Sequence, residues 1–280
     1  MRLQQPTRNQ QQNWNAVAHE WSRHFAWYAT AFQPFVDWCG DAIAIAPGMR
    51  VLDLASGTGM PAIQLAGRLR TNGMVVATDI SDEMLRVVSE RAVAMHLPTI
   101  TFQQMDAQEL AFPDASFDAV TCAFGLMFCP EPARVLSEIR RVLKPGGRFA
   151  ISTWAPPAEN SFVAMYGRAI ADVLSLPPYD RLAPGPFRFT ECEELQTMLE
   201  GMGFVEVSVA KRPQTISYAS LDDYVATSQA LTPGLTDRIH SLSLPDGARL
   251  RELVRSNVQP FMRGETVQLM ATPICCAGQA

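Results

Sequence analysis

Lysine is almost missing from this chain. Of its 23 basic residues only Lys144 and Lys211 are lysine, the arginines form no cluster, and the formal net charge is -5. A nucleic-acid binder carries a basic face, and this composition offers none. No apolar run approaches the 18 or more residues that would span a bilayer. Met1 to Asn13 is polar, with five glutamines and one leucine where a signal peptide would be apolar. The six cysteines (Cys39, Cys122, Cys129, Cys192, Cys275, Cys276) make no C-x-x-C pair and no metal-ligand spacing. These absences lead to the expectation of a cytoplasmic protein with reduced thiols, no metal, no nucleic acid and no membrane among its partners. A small molecule is the expected partner, with the chain a monomer or homodimer. What remains is ordinary globular material: 280 residues, 48% apolar and 18% charged, enough for a full core.

The most informative stretch is Arg50 to Gly59, R-V-L-D-L-A-S-G-T-G. Val51, Leu52 and Leu54 read as a strand buried on both faces of a parallel sheet. Gly57 and Gly59 let the backbone turn with positive φ and bring a ligand against its N–H groups. Pro61 suits the first turn of a helix continued by Ala62, Ile63, Leu65, Ala66 and Leu69. The positive end of that helix faces the loop, so an anionic group belongs there. With Ala62, the two glycines also fit the looser dinucleotide pattern G-x-G-x-x-A, which keeps a nicotinamide or flavin enzyme in play.

Beyond it, strands and helices alternate. Met74 to Thr78 is a second strand ending at Asp79, 20 residues after Gly59, where one carboxylate can accept hydrogen bonds from both hydroxyls of a ribose. Ser81 is an N-cap for a helix through Met84, Leu85, Val88 and Ala92. Ile100 to Met105 is a third strand running into Asp106-Ala107, and Asp118 to Gly125 a fourth. An amphipathic helix from Glu131 to Leu143 leads through Lys144-Pro145-Gly146-Gly147 into a fifth strand, Arg148 to Trp154. The pattern predicts an α/β fold, a doubly wound Rossmann-like sheet, with N-terminal helices and a helical cap inserted in the C-terminal third.

At the N-terminus the sequence predicts a flexible arm over 1–13. A helical lid over 14–46 follows, with apolar residues at 14, 17, 18, 21, 25, 28, 32, 35, 36 and 39 on one helical face, divided at Pro34. The core spans 47–155. Over 156–280 the rest of the sheet (about 190–218 and 265–277) alternates with a helical cap (about 156–189 and 219–262), and Thr266 to Cys276 forms one closing strand.

The strand-plus-glycine element, the acids at the next two strand ends, the run L-A-F-P-D-A-S-F-D-A-V-T-C-A-F-G-L from Leu110 to Leu126 and R-R-V-L-K-P-G-G-R from Arg140 to Arg148 together resemble the class I methyltransferases that use S-adenosylmethionine. They look closest to the quinone-biosynthesis C-methyltransferases and their small-molecule relatives. The resemblance covers about 50 to 210. It implies that Ala55, Ser56, Gly57 and Gly59 hold the methionine end of S-adenosylmethionine, with Asp53 bracing the loop or reaching the amino group through water. It places Asp79 on the ribose, Ile80 on the adenine, Met84 among the other cofactor contacts, and Asp106 and Ala107 at the adenine edge. Cys122 with Ala123 would lie beside the sulfonium, through the backbone. S-adenosylhomocysteine would be the product. Ala55 and Ser56 stand where the family most often has Gly and Cys; both are small enough to keep the loop's function.

The implied reaction is transfer of a methyl group to a small, largely apolar or aromatic molecule such as a quinone, phenol or natural-product intermediate. Phe124 to Pro130 is apolar, with no histidine or acid, which suits an acceptor held by shape. Trp21, Phe124, Met127, Phe128 and Tyr166 are the candidate acceptor contacts. His24, one turn from Trp21 and from Tyr28, and Tyr28 itself are the candidate bases. Two alternatives stay open at this level: a non-methylating descendant that binds the same cofactor and guides a cyclisation or rearrangement, and a nicotinamide-dependent oxidoreductase.

Overall fold

The computed structural model describes residues 4–69 and 72–280. It opens with three helices, α1 (Gln5–Arg23), α2 (Phe25–Ala31) and α3 (Gln33–Ala42). The stretch expected to be a flexible arm is therefore helical from Gln5 onward, and Met1 to Leu3 lie outside the described residues. Its polar residues have partners. The Gln108 side-chain amide donates to the Thr7 hydroxyl at 3.2 Å, the Ser81 hydroxyl donates to Asn15 Oδ1 at 2.6 Å, and Asn15 Nδ2 donates to Asp82 at 2.9 Å. The helical run breaks twice, at His24 and Phe32, and Pro34 sits in the first turn of α3 rather than at the break.

There follow β1 (Arg50–Leu54), α4 (Ala62–Leu69), β2 (Met74–Asp79), α5 (Asp82–Ala94), β3 (Ile100–Gln104), β4 (Phe117–Ala123), α6 (Pro132–Val142) and β5 (Leu143–Trp154). The last third holds α7 (Ser161–Val173), α8 (Cys192–Gly201), β6 (Val205–Lys211), β7 (Gln214–Tyr218), α9 (Leu221–Ala230), α10 (Thr236–His240), α11 (Leu244–Val258), β8 (Met262–Arg263), β9 (Thr266–Ala271) and β10 (Pro273–Gln279).

Seven strands form one sheet in the order β3-β2-β1-β4-β5-β10-β6. β1 to β5 are parallel neighbours, and β10 enters antiparallel between β5 and β6. The two-residue alternation of a strand sends Leu52, Leu54 and Val120 into one core and Val51, Val75, Ala77 and Ala119 into the core on the opposite face. β1 and β4 are adjacent, and from β1 the chain winds outward to β2 and β3 before returning to β4. That reversal opens a crevice at their carboxyl ends.

The C-terminal third departs from expectation. The expected single closing strand is two, β9 and β10, separated by Thr272. β7 and β9 leave the main sheet and pair with each other antiparallel, with β8 beyond, in a separate three-stranded sheet of order β7-β9-β8. The break is fixed by Asn160, buried at 0% exposure, whose side chain accepts from Thr272 N at 2.7 Å and donates to Ala155 O at 2.7 Å. With α7, α9 and α11 this small sheet builds the cap over the crevice.

Candidate active site

One cavity of about 840 Å³ opens at the carboxyl ends of the central strands. One end is polar and built from the strand tips. Where β1 stops, Ala55 and Gly57 both take left-handed backbone, at φ +52° each. Ser56 N donates to Thr78 O, and the Ser56 hydroxyl donates to Asp53 O, both at 2.9 Å. Asp79, at the tip of β2, locks this loop to the next helix: its Oδ2 accepts from Gly57 N and its Oδ1 from Ser81 N, each at 2.9 Å. Each oxygen retains a lone pair for a ligand. Burial pushes the Asp79 carboxyl up to about 6, against the opposing effect of these backbone hydrogen bonds.

Asp106, past β3, is held by Gln108, whose backbone N donates at 2.9 Å and whose side-chain amide reaches both carboxylate oxygens at 3.1 and 3.0 Å. The same amide bonds Thr7, and Gln108 Oε1 accepts from Glu131 N at 2.7 Å. Helix α1 is thereby fastened beside Asp106 through Thr7 and beside Asp79 through Asn15 and Ser81. A third tie joins it to the glycine loop: Arg91 donates to the Ser22 hydroxyl at 3.1 Å and also to Thr58 O.

The other end of the cavity is aromatic. Phe124 stacks on Trp154 at 4.0 Å and 13°. Trp154 meets Phe162 edge-on at 5.0 Å. Trp21 contacts Tyr28 at 5.2 Å, Trp27 contacts Tyr218 at 4.9 Å, and Trp14 meets Phe128 at 5.0 Å. Stacked, tilted and edge-on ring contacts together make this wall.

Of the residues singled out from sequence, Ala55, Ser56, Gly57, Asp79, Ile80, Met84, Asp106, Ala107 and Ala123 line the cavity, as do Trp21, Tyr28, Phe124, Met127, Phe128 and Tyr166. Four do not. Asp53 lies behind the loop, fully buried, with Oδ1 accepting from the Thr121 hydroxyl and Oδ2 without a partner; burial pushes its carboxyl up to about 7. Gly59, at φ +112°, faces the helices: a Cβ there would stand 2.5 Å from Val88 and 2.7 Å from Ile63. Cys122 points to the opposite side of β4 from Ala123 and lies under Gly125, with burial pushing its thiol up to about 12. His24 caps the junction of α1 and α2, and no histidine lines the cavity. Burial drives the Tyr28 and Tyr166 hydroxyls well above the usual tyrosine range, so both keep their protons at neutral pH.

A methyltransferase domain family matches residues 52–151. Over 173 residues the chain is 38% identical to the demethylmenaquinone methyltransferase of Deinococcus radiodurans, a match that spans 59% of this chain and 70% of that protein. It is 34% identical over 172 residues to a ubiquinone/menaquinone biosynthesis C-methyltransferase of Teredinibacter turnerae, spanning 58% of this chain and 69% of the relative. A crystal structure of a methyltransferase from Bacillus halodurans shares the fold at a TM-score of 0.58, with 21% identity over 87% of this chain and 97% of that one. This chain is a class I S-adenosylmethionine-dependent methyltransferase, related to the quinone C-methyltransferases.

That membership replaces the oxidoreductase alternative. The methyltransferase's polar end also fits such a cofactor chemically: two carboxylates with spare lone pairs stand at successive strand tips, suited to a diol and an amino-bearing ring. The glycine loop has open space beside Gly57, where an added Cβ would meet nothing within 4 Å. Thr7, Gln10, Asn13 and Trp14 of α1, Trp27 of α2 and Phe162 and Tyr218 of the cap were not foreseen as cavity residues. The aromatic density of 14–38 was the signal for Trp14 and Trp27. Tyr218 had none, because its placement depends on β7 pairing with β9.

Proposed function

We propose that this methyltransferase moves the methyl group of S-adenosylmethionine to a small, flat aromatic acceptor of the phenol or quinol class. The observation that carries this reading is a single cavity whose acids stand at one end and whose aromatic rings enclose the other. The quinone names of the relatives support it. The aromatic end draws on α7, β7 and α9, outside residues 52–151, so the acceptor's identity rests mainly on this chain's own side chains.

In this reading Ala55, Ser56 and Gly57 hold the methionine end of the cofactor, Asp79 accepts from the ribose hydroxyls, Ile80 and Met84 pack on the adenine, and Asp106 and Ala107 take its edge. Asp53, Gly59 and Cys122 act on the loop from behind. Ala123 lies beside the sulfonium. When bound, the cofactor supplies a methyl carbon already activated on sulfur. The chain's contribution is alignment and exclusion of water: Phe124, Trp154 and Phe162 hold a planar ring, while α1 covers the polar end. Tyr28 and Tyr166 stay protonated and both acids are engaged by the backbone, so no side chain in the cavity is poised as a base. The acceptor's proton passes to bulk solvent beyond the mouth of the cavity. Held by Ala55, Ser56, Gly57, Asp79 and Asp106, S-adenosylmethionine would supply the methyl group and leave as S-adenosylhomocysteine.

Incubation with S-adenosylmethionine and 1,4-naphthoquinol, followed by mass spectrometry, tests this. The expected result is a quinol heavier by one methyl group, with an equal amount of S-adenosylhomocysteine. A panel of phenols and quinols that all remain unmethylated, alongside a methylated amine, would reject the acceptor class.

A further inference from the structure

Four buried polar side-chain atoms lack a hydrogen-bond partner among the described residues: Trp21 Nε1, Asp53 Oδ2, Gln64 Oε1 and the Tyr166 hydroxyl. Only Trp21 and Tyr166 belong to the cavity wall. Buried polar groups in folded proteins are almost always paired, so an orphan on the wall of a binding cavity points to a partner that arrives with the ligand. Tyr166 is the more informative of the two. It is 2% exposed, in the aromatic half, on the face of α7 that also presents Phe162 and Val163 to the cavity.

The turn of α7 that carries it is fastened from outside. The hydroxyl of Tyr224 on α9, itself fully buried, accepts from Tyr166 N and donates to Phe162 O, both at 3.0 Å. Residues 162 and 166 are an i, i+4 pair, so this hydroxyl inserts at the helix's own hydrogen-bond ladder. One residue away, Asn257 on α11 donates to Met165 O at 2.9 Å. Two cap helices therefore fix the backbone at Tyr166, while its own hydroxyl is left without a bond. Two neighbouring tyrosine hydroxyls are used: Tyr224 makes two bonds and Tyr179 accepts from Phe187 N at 3.0 Å.

We infer that Tyr166 recognises a ring oxygen of the methyl acceptor, its hydroxyl donating to a phenolic or quinol oxygen, and that Tyr224 is the positioning residue that presents it. This rests on the acceptor class proposed above. A neutral donor in a wall otherwise made of rings suits an uncharged oxygen on a flat ring. It discriminates against the same ring without the oxygen, which would leave the hydroxyl orphaned in the complex as well.

The test is equilibrium binding of 1-naphthol and of naphthalene, with S-adenosylhomocysteine present, followed by tryptophan fluorescence. The proteins are wild type, Tyr166→Phe and Tyr224→Phe, with thermal unfolding of each as a control. Wild type is expected to prefer 1-naphthol by about tenfold or more. Tyr166→Phe, which removes only an unpaired hydroxyl, is expected to fold with an undiminished midpoint and to bind the two compounds alike. Tyr224→Phe is expected to show an intermediate preference; a purely structural role would lower its midpoint and leave the preference intact. A Tyr166→Phe protein that still prefers 1-naphthol overturns the inference, as does a wild type that binds both compounds equally. If wild type binds neither, the proposed acceptor class fails and the inference falls with it.

Discussion

The two ends of the cavity are made in opposite ways. At the cofactor end the polar groups are held by the backbone: Asp79 by Gly57 N and Ser81 N, Asp106 by Gln108 N, Ser56 by Thr78 O. At the aromatic end rings hold rings, with Phe32 in contact with Tyr28 at 4.5 Å, Trp154 at 5.7 Å, Phe162 at 5.9 Å and Phe124 at 6.1 Å. A polar, partly charged cofactor demands fixed donors and acceptors, which the strand tips and turns supply. The flat apolar acceptor proposed above would demand shape, which close-packed aromatics supply. The comparison teaches that binding at the first end is set by a few hydrogen bonds, and stability at the second by packed volume.

The sharpest way to break this contrast is Phe32→Ala. Phe32 has no exposed surface, and deleting its ring should lower stability by about 3–5 kcal/mol, read from urea unfolding. Affinity of the folded protein for S-adenosylhomocysteine should be kept; a matching loss of affinity would show that the two ends are one mechanical unit. Asp79→Ala should do the converse, weakening S-adenosylhomocysteine binding by tenfold or more, since hydrogen bonds to a charged acceptor contribute about 1.5–3 kcal/mol. An unchanged dissociation constant would remove Asp79 from the site.

A smaller effect comes from pH. The Asp79 carboxyl, raised by burial to about 6, is charged above that pH and neutral below it. As a carboxyl with a folded value above its ordinary 3.8, it costs stability at neutral pH, and that cost is relieved as pH falls through about 6. Cofactor affinity should move the other way and weaken through the same window, because the neutral form accepts fewer hydrogen bonds. Titrations at pH 5 to 8 should show this in wild type and in Asp53→Asn, and a flat profile in Asp79→Asn. A flat profile in Asp53→Asn instead would assign the effect to the carboxyl behind the loop, which burial raises to about 7. The smallest effect is expected at Ala55, a non-glycine residue at φ +52°. Ala55→Gly should leave binding intact and raise the thermal midpoint slightly, relieving at most about 1–2 kcal/mol of left-handed strain.

Legibility in the sequence follows the same divide. The β1 loop, Asp79 and Asp106 could be read because each is placed by local chemistry: a strand period of two, a turn, and the acid that ends the strand. Where local reading failed, a long-range contact had decided. Gln5 to Asn13 looked too polar to fold, yet Thr7 finds Gln108, and Asn15 just beyond finds Ser81 and Asp82. The closing strand looked continuous until Asn160, from 112 residues away, fixed the break at Thr272. Cys122 and Ala123 are neighbours on β4, whose side chains face opposite ways: the Ala123 side chain lines the cavity, and the Cys122 side chain turns away from it. The aromatic end could be recognised as aromatic, Tyr166 included, while Tyr218 and Tyr224 reach it only through the second sheet and the helices around it.

The central claim is that the polar end of this cavity binds S-adenosylmethionine. Calorimetric titration of the protein with S-adenosylmethionine, S-adenosylhomocysteine and NADH tests it most directly. Saturable one-to-one binding of the first two, weakened in Asp79→Ala, with no heat from NADH, is the result this account predicts. Binding of NADH alone would contradict it.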